Sequence, residues 1–115
     1  MVTDDQVREL VRQLPQTSED PHFHRTAFKV AGKIFATMHE GAHDLNLRLS
    51  AEHQDMLVGS KPDVFVPVKW GESRVWTKAQ LDNADFAEIE DLLDDAWRLR
   101  APKRLLAAFE AGELS

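Results

Sequence analysis

Histidines near carboxylates are the first residues in this chain whose types and spacing suggest chemistry. His22 and His24 flank Phe23 and follow Glu19 and Asp20. In an extended segment, residues two apart point the same way, so two imidazoles and a carboxylate could share a metal ion. This spacing is common by chance, however, and we expect neither a metal nor a cofactor.

Other catalytic patterns are weaker still. His39 and His43 bracket a turn, where solvent-exposed histidines are the simpler interpretation, and His24 with Asp44 stays open as an acid/base pair. No serine lies in a nucleophile-elbow pattern, the glycines are isolated, and cysteine is absent, which excludes a thiol nucleophile or thiolate metal site. The sequence therefore predicts a protein that is not an enzyme.

Basic residues on predicted strands indicate a second kind of chemistry. With Trp70 and Trp76 interleaved, they resemble a nucleic-acid surface that combines phosphate contacts with base stacking. The other interpretation is that these cations keep an exposed sheet face soluble and discourage edge pairing. The candidate nucleic-acid-binding residues are Lys29, Lys33, Arg48, Lys69, Arg74 and Lys78.

The aromatic side chains allow a different function. Phe35 and Phe65 break the strand alternation and, with Trp70 and Trp76, would line a groove for another protein or a small ligand. Alternatively, they form a second cluster beneath a loop or the last helix.

The charge is unevenly distributed along the chain. The net charge is −6, which argues against broad non-specific binding to nucleic acids. Residues 23–81 nevertheless hold eight Lys or Arg against six acids, a net charge of +2, while residues 82–97 hold seven acids and neither Lys nor Arg. We interpret the acidic segment as the solvated face of a helix.

The elements that would position these residues centre on a hairpin at Phe23–Met38, with its turn at Ala31-Gly32. A first helix over about 4–14 precedes it, capped by Thr3 with Gln6, and 16–21 reads as a loop. Residues 44–50 alternate as a strand.

Three helices and two strands complete the predicted order. Ser50 caps a short helix that buries Met56 and Leu57. Pro67 cannot donate to a ladder, so the following strand is expected to be short or to lie at an edge. A further strand spans 74–81. Asp82 or Asn83 caps a long helix with Phe86, Ile89, Leu93 and Trp97 on one side, and Pro102 starts the last helix.

This order predicts one α+β domain over residues 1–115, with a single antiparallel sheet of about five strands backed by N- and C-terminal helices. The opposite sheet face would meet solvent. If Leu47 points to the helices, Arg48 points away from them, and Lys29 does so beside Phe28. We therefore expect a mildly basic open face opposite an acidic helical side.

Several ordered segments also resemble the MmcQ/YjbR family of small bacterial proteins. They are Leu14-Pro15, the hairpin at 27–37, Trp70-Gly71, Asp95-Ala96-Trp97 and Ala101-Pro102. The resemblance covers about residues 7–109. It implies a CyaY or frataxin type of fold and a loosely assigned role in DNA binding, without defined functional residues.

Together, these observations predict a soluble cytoplasmic protein that binds DNA weakly through a basic sheet face and hairpin turns. The alternative is a module that binds another protein or a small ligand through exposed aromatics. No apolar run is long enough to cross a membrane, so a membrane partner is not expected.

Overall fold

The protein is described by a computed structural model that covers residues 1–70 and 73–113, with only the backbone considered at 69, 70, 73 and 74. The helices are α1 (Asp4–Arg12), α2 (Ala51–Ser60), α3 (Phe86–Arg100) and α4 (Lys103–Glu110), with a 3-10 turn at Leu81–Asn83. The strands are β1 (Thr17–His22), β2 (Arg25–Val30), β3 (Lys33–His39), β4 (Asp44–Arg48), β5 (Phe65–Trp70) and β6 (Ser73–Gln80).

The strands form one antiparallel sheet in the order β1-β2-β3-β4-β6-β5, which confirms the α+β class with six strands rather than five. The additional strand is β1, which the sequence predicted as a loop. Its side chains are mostly exposed because it is an edge strand, so it lacks the apolar alternation of a half-buried strand. β5, with Pro67, lies at the other edge as predicted.

The β2–β3 hairpin turns at Ala31-Gly32, where both residues have positive φ angles of 48° and 85°. Further along the hairpin, Phe28 pairs with Ala36 whereas Lys29 pairs with Ile34, so Phe35 is an extra residue in β3. This irregularity places Phe35 in the core beside Ala36, with no exposed surface.

Strand alternation divides the sheet into two sides. Phe28, Met38 and Leu47 lie in the hydrophobic core beneath the helices. We call the opposite side of β2, β3, β4 and β6 the open face. Its described residues are Arg25, Ala27, Lys29, Ile34, Thr37, His39, Asp44, Asn46, Arg48, Trp76, Lys78 and Gln80. The expectation that this face meets solvent holds only in part, because most of these side chains are half-buried or buried, and Ala27 and Thr37 have no exposed surface.

The helices begin largely where their caps predict. Thr3 and Gln6 form the expected capping box of α1, and Ser50 caps α2. The predicted N-cap of α3 was wrong, because residues 81–83 first make the 3-10 turn and Asp85 takes the cap position. α4 follows Pro102, which is its N-cap rather than its first residue.

The helical layer is fixed to the N-terminal segment by Trp97. Its ring is fully buried, and its indole Nε1 donates a hydrogen bond to the Pro15 carbonyl oxygen at 3.0 Å. Two expected core residues are instead exposed, Phe86 at 41% and Met56 at 60%. Met56 lies outside the core because α2 covers only the β5–β6 side of the sheet and buries Leu57 and Gln54 there.

Candidate nucleic-acid interface

Lys29 lies on the open face as predicted, but its charge is balanced. Its Nζ lies 3.2 Å from the Asp20 carboxylate on the neighbouring edge strand β1. The pairing follows from the β1–β2 register, in which Asp20 lies opposite Ala27. Ala27 precedes Lys29 by two residues, so Asp20 and Lys29 are on the same side of the sheet and are diagonal neighbours. The strand that the sequence analysis interpreted as a loop therefore supplies the acid that neutralises this cation.

Arg48 also lies on the open face, in a different electrostatic setting. Within the described part of the chain, no carboxylate lies in ion-pair distance of Arg48. Its Nη1 donates a hydrogen bond to the Leu49 carbonyl oxygen at 3.4 Å. Its charged neighbour is a second cation, Arg100. Burial, followed by the positive charge of Arg100, lowers the pKa of Arg48 below its usual value. An arginine nevertheless stays charged at neutral pH.

Arg100 reaches this position from the last turn of α3. The described β3–β4 ladder ends at the Ala36–Leu47 pair, so the Ile34 carbonyl oxygen beyond it is available to another donor. Arg100 Nε donates to that oxygen at 3.1 Å. A helix residue is thereby anchored at the end of the sheet where Arg48 lies.

Two further residues extend this site along β6. Trp76 pairs with Arg48 across the β4–β6 ladder, and Lys78 pairs with Asn46 two residues along. Both side chains are half-buried, and no ion pair involves Lys78 among the residues described. We call Arg48, Lys78 and Arg100 the cationic patch; Trp76 lies beside it.

The backbone under Trp76 is supported from α2. Gln54 is buried, and its Nε2 donates to the Trp76 carbonyl oxygen at 2.6 Å and to Thr77 Oγ1 at 3.0 Å. Because Thr77 is itself fully buried, these bonds satisfy polar atoms that water cannot reach.

The other predicted cations divide into two groups. Lys33 is exposed, but it pairs with Val30, which places it on the helix side of the sheet rather than on the open face. Lys69 and Arg74 lie on the backbone of β5 and β6, and their side chains are outside the described residues. The structure thus groups Arg48 and Lys78, separates Lys33, and shows Lys29 neutralised.

The far end of the open face is occupied by an internal ion pair. Arg25 Nη2 lies 2.6 Å from Asp44 Oδ1, and Arg25 also donates to the Thr37 hydroxyl at 2.8 Å and to its carbonyl oxygen at 2.9 Å. The acid/base pair of His24 with Asp44 was left open by the sequence, and the described contact of the Asp44 carboxylate is with Arg25.

The suggested metal pair of His22 and His24 was wrong in its geometric premise. The two residues do not share one extended segment, since β1 ends at His22 and the chain turns through Phe23, whose φ is 58°. His43 lies instead near Asp82, with Nδ1 and Oδ1 3.6 Å apart. No group of three or more potential metal ligands is present within residues 1–70 and 73–113.

Two of the four aromatic residues that were predicted to line a groove are buried instead. Phe35 and Phe65 have no exposed surface and belong to the main core. The most exposed aromatic residue described is Phe23, at 89%, in the turn between β1 and β2.

Sequence reasoning missed Arg100, although a signal was present. Residues 98–104 contain four Lys or Arg and no acid, directly after the acidic segment. Arg98 is neutralised by Asp94 at 2.9 Å, which leaves Arg100 as the member of this group that reaches the sheet.

The fold and this surface define a class of protein: an α+β chain whose antiparallel sheet is covered by helices on one side and carries Arg48 and Lys78 on the other, with Arg100 at the end of the sheet. Residues 12–99 match the model of the YjbR family, and the chain belongs to that family. This confirms the resemblance drawn from the sequence segments.

A solved structure supports the same fold. The crystal structure of Deinococcus radiodurans protein DR2400, described as a DUF419 domain, superposes with a TM-score of 0.81. The two are 22% identical, and the match covers 97% of this chain and 89% of that one. No curated protein matches the chain. Across the described residues, none of the helices is long and apolar enough to span a membrane.

Proposed function

We propose that this protein is a non-enzymatic, cytoplasmic DNA-binding protein of low affinity, and that it contacts phosphates through the cationic patch. The observation that carries the proposal is that Arg48 has no carboxylate in ion-pair distance among the described residues, while Arg100 is anchored at the same end of the sheet and is the charged residue that acts on it. Two neighbouring guanidinium groups repel each other, and an anion placed between them relieves that repulsion. A phosphate suits this position because arginine binds it through paired hydrogen bonds.

The neighbouring charges favour an anion at Arg48 more than at the other cations of the open face. Lys29 and Arg25 already have Asp20 and Asp44 as partners. Among the described side chains of the open face, a phosphate chain would therefore meet unneutralised charge toward the Arg48 end. Lys78 supplies a further positive charge there.

Trp76 adds a surface for stacking. It lies opposite Arg48 in the β4–β6 register and retains partial exposure, while Gln54 holds its backbone. Base stacking on an aromatic ring beside phosphate-binding cations is the usual arrangement in single-strand binding. The patch is small, so we expect micromolar affinity and a modest number of phosphate contacts.

The test is fluorescence anisotropy of labelled single-stranded and duplex DNA with the purified protein at two salt concentrations. We expect binding that weakens as salt rises, with a slope of about −2 to −3 on a log–log plot, since each neutralised phosphate contributes about 0.7 to 0.9. Absence of binding at low salt would refute the proposal.

A further inference from the structure

A groove between α2 and α3 lies in the helical layer, away from the cationic patch. Its volume is about 430 Å³. Along α2 its wall is formed by residues three or four apart, His53, Met56 and Leu57, and Lys61 follows the helix. Along α3 the wall is formed by Asp85, Ala87, Glu88, Asp91, Leu92 and Asp95.

The floor of the groove is apolar and one of its rims is unusually exposed. Leu57 and Leu92 are 7% and 3% exposed, so they belong to the core and form a closed base. Met56 stands above them with 60% of its surface exposed. A flexible thioether side chain beside an apolar floor is suited to contact with a partner's side chains.

The opposite rim carries negative charge that the protein does not balance. Glu88 is paired with Lys61, whose Nζ lies 3.0 Å from its Oε1, and both residues line the groove. No ion pair within the described chain involves Asp85, Asp91 or Asp95.

Asp95 lies in this rim close to two further carboxylates, Asp91 and Asp94. Asp95 is half-buried, and burial first, then the charges of Asp94 and Asp91, raise its pKa, while His53 and Arg98 oppose the shift. A cation entering the groove would relieve the repulsion between the carboxylates.

We infer that this groove, bounded by Met56 on α2, by Asp85 at the N-cap of α3 and by Asp91 and Asp95 on α3, is a docking site for a cationic amphipathic segment of a partner protein. Charge complementarity selects the partner: Lys or Arg side chains would face the aspartates, and an apolar side chain would pack against Met56 and the Leu57–Leu92 floor. This inference does not depend on DNA binding, since the groove and the cationic patch share no residue.

The test uses a labelled helical peptide of Lys and Leu residues, with the lysines on one face and the leucines on the other, and measures its affinity for the full chain by anisotropy. Asp91→Asn/Asp95→Asn removes two charges from the groove. Glu52→Gln/Glu90→Gln removes two charges from exposed positions on the same helices but outside the groove, and is the matched control. Met56→Ser tests the apolar contact.

We expect the groove variant and Met56→Ser each to weaken binding at least about fivefold, equivalent to about 1 kcal/mol, with the control near the wild type. Circular dichroism confirms that each variant is folded. Equal weakening by both double variants, unchanged binding by Met56→Ser, or no binding at low ionic strength would overturn the inference. It would also be overturned if the protein alone formed a dimer that Met56→Ser dissociates, because the groove would then hold a second copy.

Discussion

Lys29 and Arg48 lie on the same face of the sheet with opposite electrostatic surroundings. Lys29 Nζ is 3.2 Å from an Asp20 carboxylate oxygen, whereas the charged neighbour of Arg48 is the cation Arg100. Two basic residues that look equivalent in the sequence therefore differ in their capacity to bind an anion.

This difference gives the first prediction. Arg48→Gln is expected to weaken DNA binding and to reduce the magnitude of the salt slope by about 1, because one phosphate contact is lost. Lys29→Gln removes the same charge from a neutralised position, so its slope should match that of the wild type. The measurement is anisotropy at several salt concentrations. Equal slopes for the two variants would show that Arg48 makes no specific phosphate contact.

The second prediction concerns the ion pair at the other end of the open face. Arg25 and Asp44 side chains are only 18% and 12% exposed, so Arg25→Met leaves a shielded carboxylate without its partner. We expect a loss of about 3 kcal/mol in the free energy of unfolding, measured by urea denaturation.

The matched control for that variant is Arg12→Met. The Arg12–Glu9 pair is 3.9 Å long with both side chains 65% exposed, and its removal should change stability by less than about 0.5 kcal/mol. A similar effect of both substitutions would contradict a structural role for the Arg25–Asp44 pair.

The third prediction is a pH dependence at Asp95. Burial, with Asp94 and Asp91, raises the pKa of this carboxyl above 3.8, so the folded protein binds its proton more tightly than the unfolded chain does. The resulting stability is fully present below the unfolded pKa and is lost as the pH rises through the raised value.

Asp95→Asn should therefore have a higher melting temperature than the wild type near neutral pH and about the same one near pH 3, where the wild-type carboxyl is protonated. The charges that enter this balance besides burial are those of His53, Asp94, Asp91 and Arg98, and the other charged residues that line the groove are Lys61, Asp85 and Glu88. Asp55→Asn, at an exposed site of α2 outside the groove, is the control. A destabilised Asp95→Asn at neutral pH would refute the prediction.

The fourth prediction concerns the β2–β3 turn. Ala31 has a φ of 48°, a left-handed conformation that costs most L-residues about 1–2 kcal/mol but that asparagine adopts readily. Ala31→Asn, which creates an Asn-Gly turn with Gly32, should stabilise the protein by up to about 1 kcal/mol in thermal or urea unfolding.

Ala111→Asn is the corresponding control, because Ala111 is exposed and has an ordinary right-handed φ of −80°. No gain is expected there. A stability gain of the same size in both variants would mean that the turn conformation is not its cause.

The sequence predicted the fold best where one face of an element is buried. Leu45, Leu47 and Leu49 alternate because β4 is central and lies over the core, and the pattern identified it directly. β1 carries no such pattern, since an edge strand is held by backbone hydrogen bonds that any non-proline residue can make. Its existence therefore had to come from the structure.

The site was less predictable because its charges depend on contacts between distant segments. Lys29 and Arg48 differ through Asp20 and Arg100, which lie 9 and 52 residues away along the chain. Phe35 shows the same limit for packing: strict alternation directs it away from the core, and one extra residue in β3 returns it there.

The hydrogen bond from Trp97 to Pro15 has a consequence for the order in which the chain acquires structure. Its partners are 82 residues apart, and Val2 likewise donates its backbone N–H to Leu81. During synthesis, α1 emerges first but has no α3 to pack against until Trp97 has been made. The β2–β3 and β3–β4 pairings join only residues within 25–48, so this meander can form much earlier, before β4 pairs with β6. The first helix to be synthesised is thus among the last elements to be fixed in place.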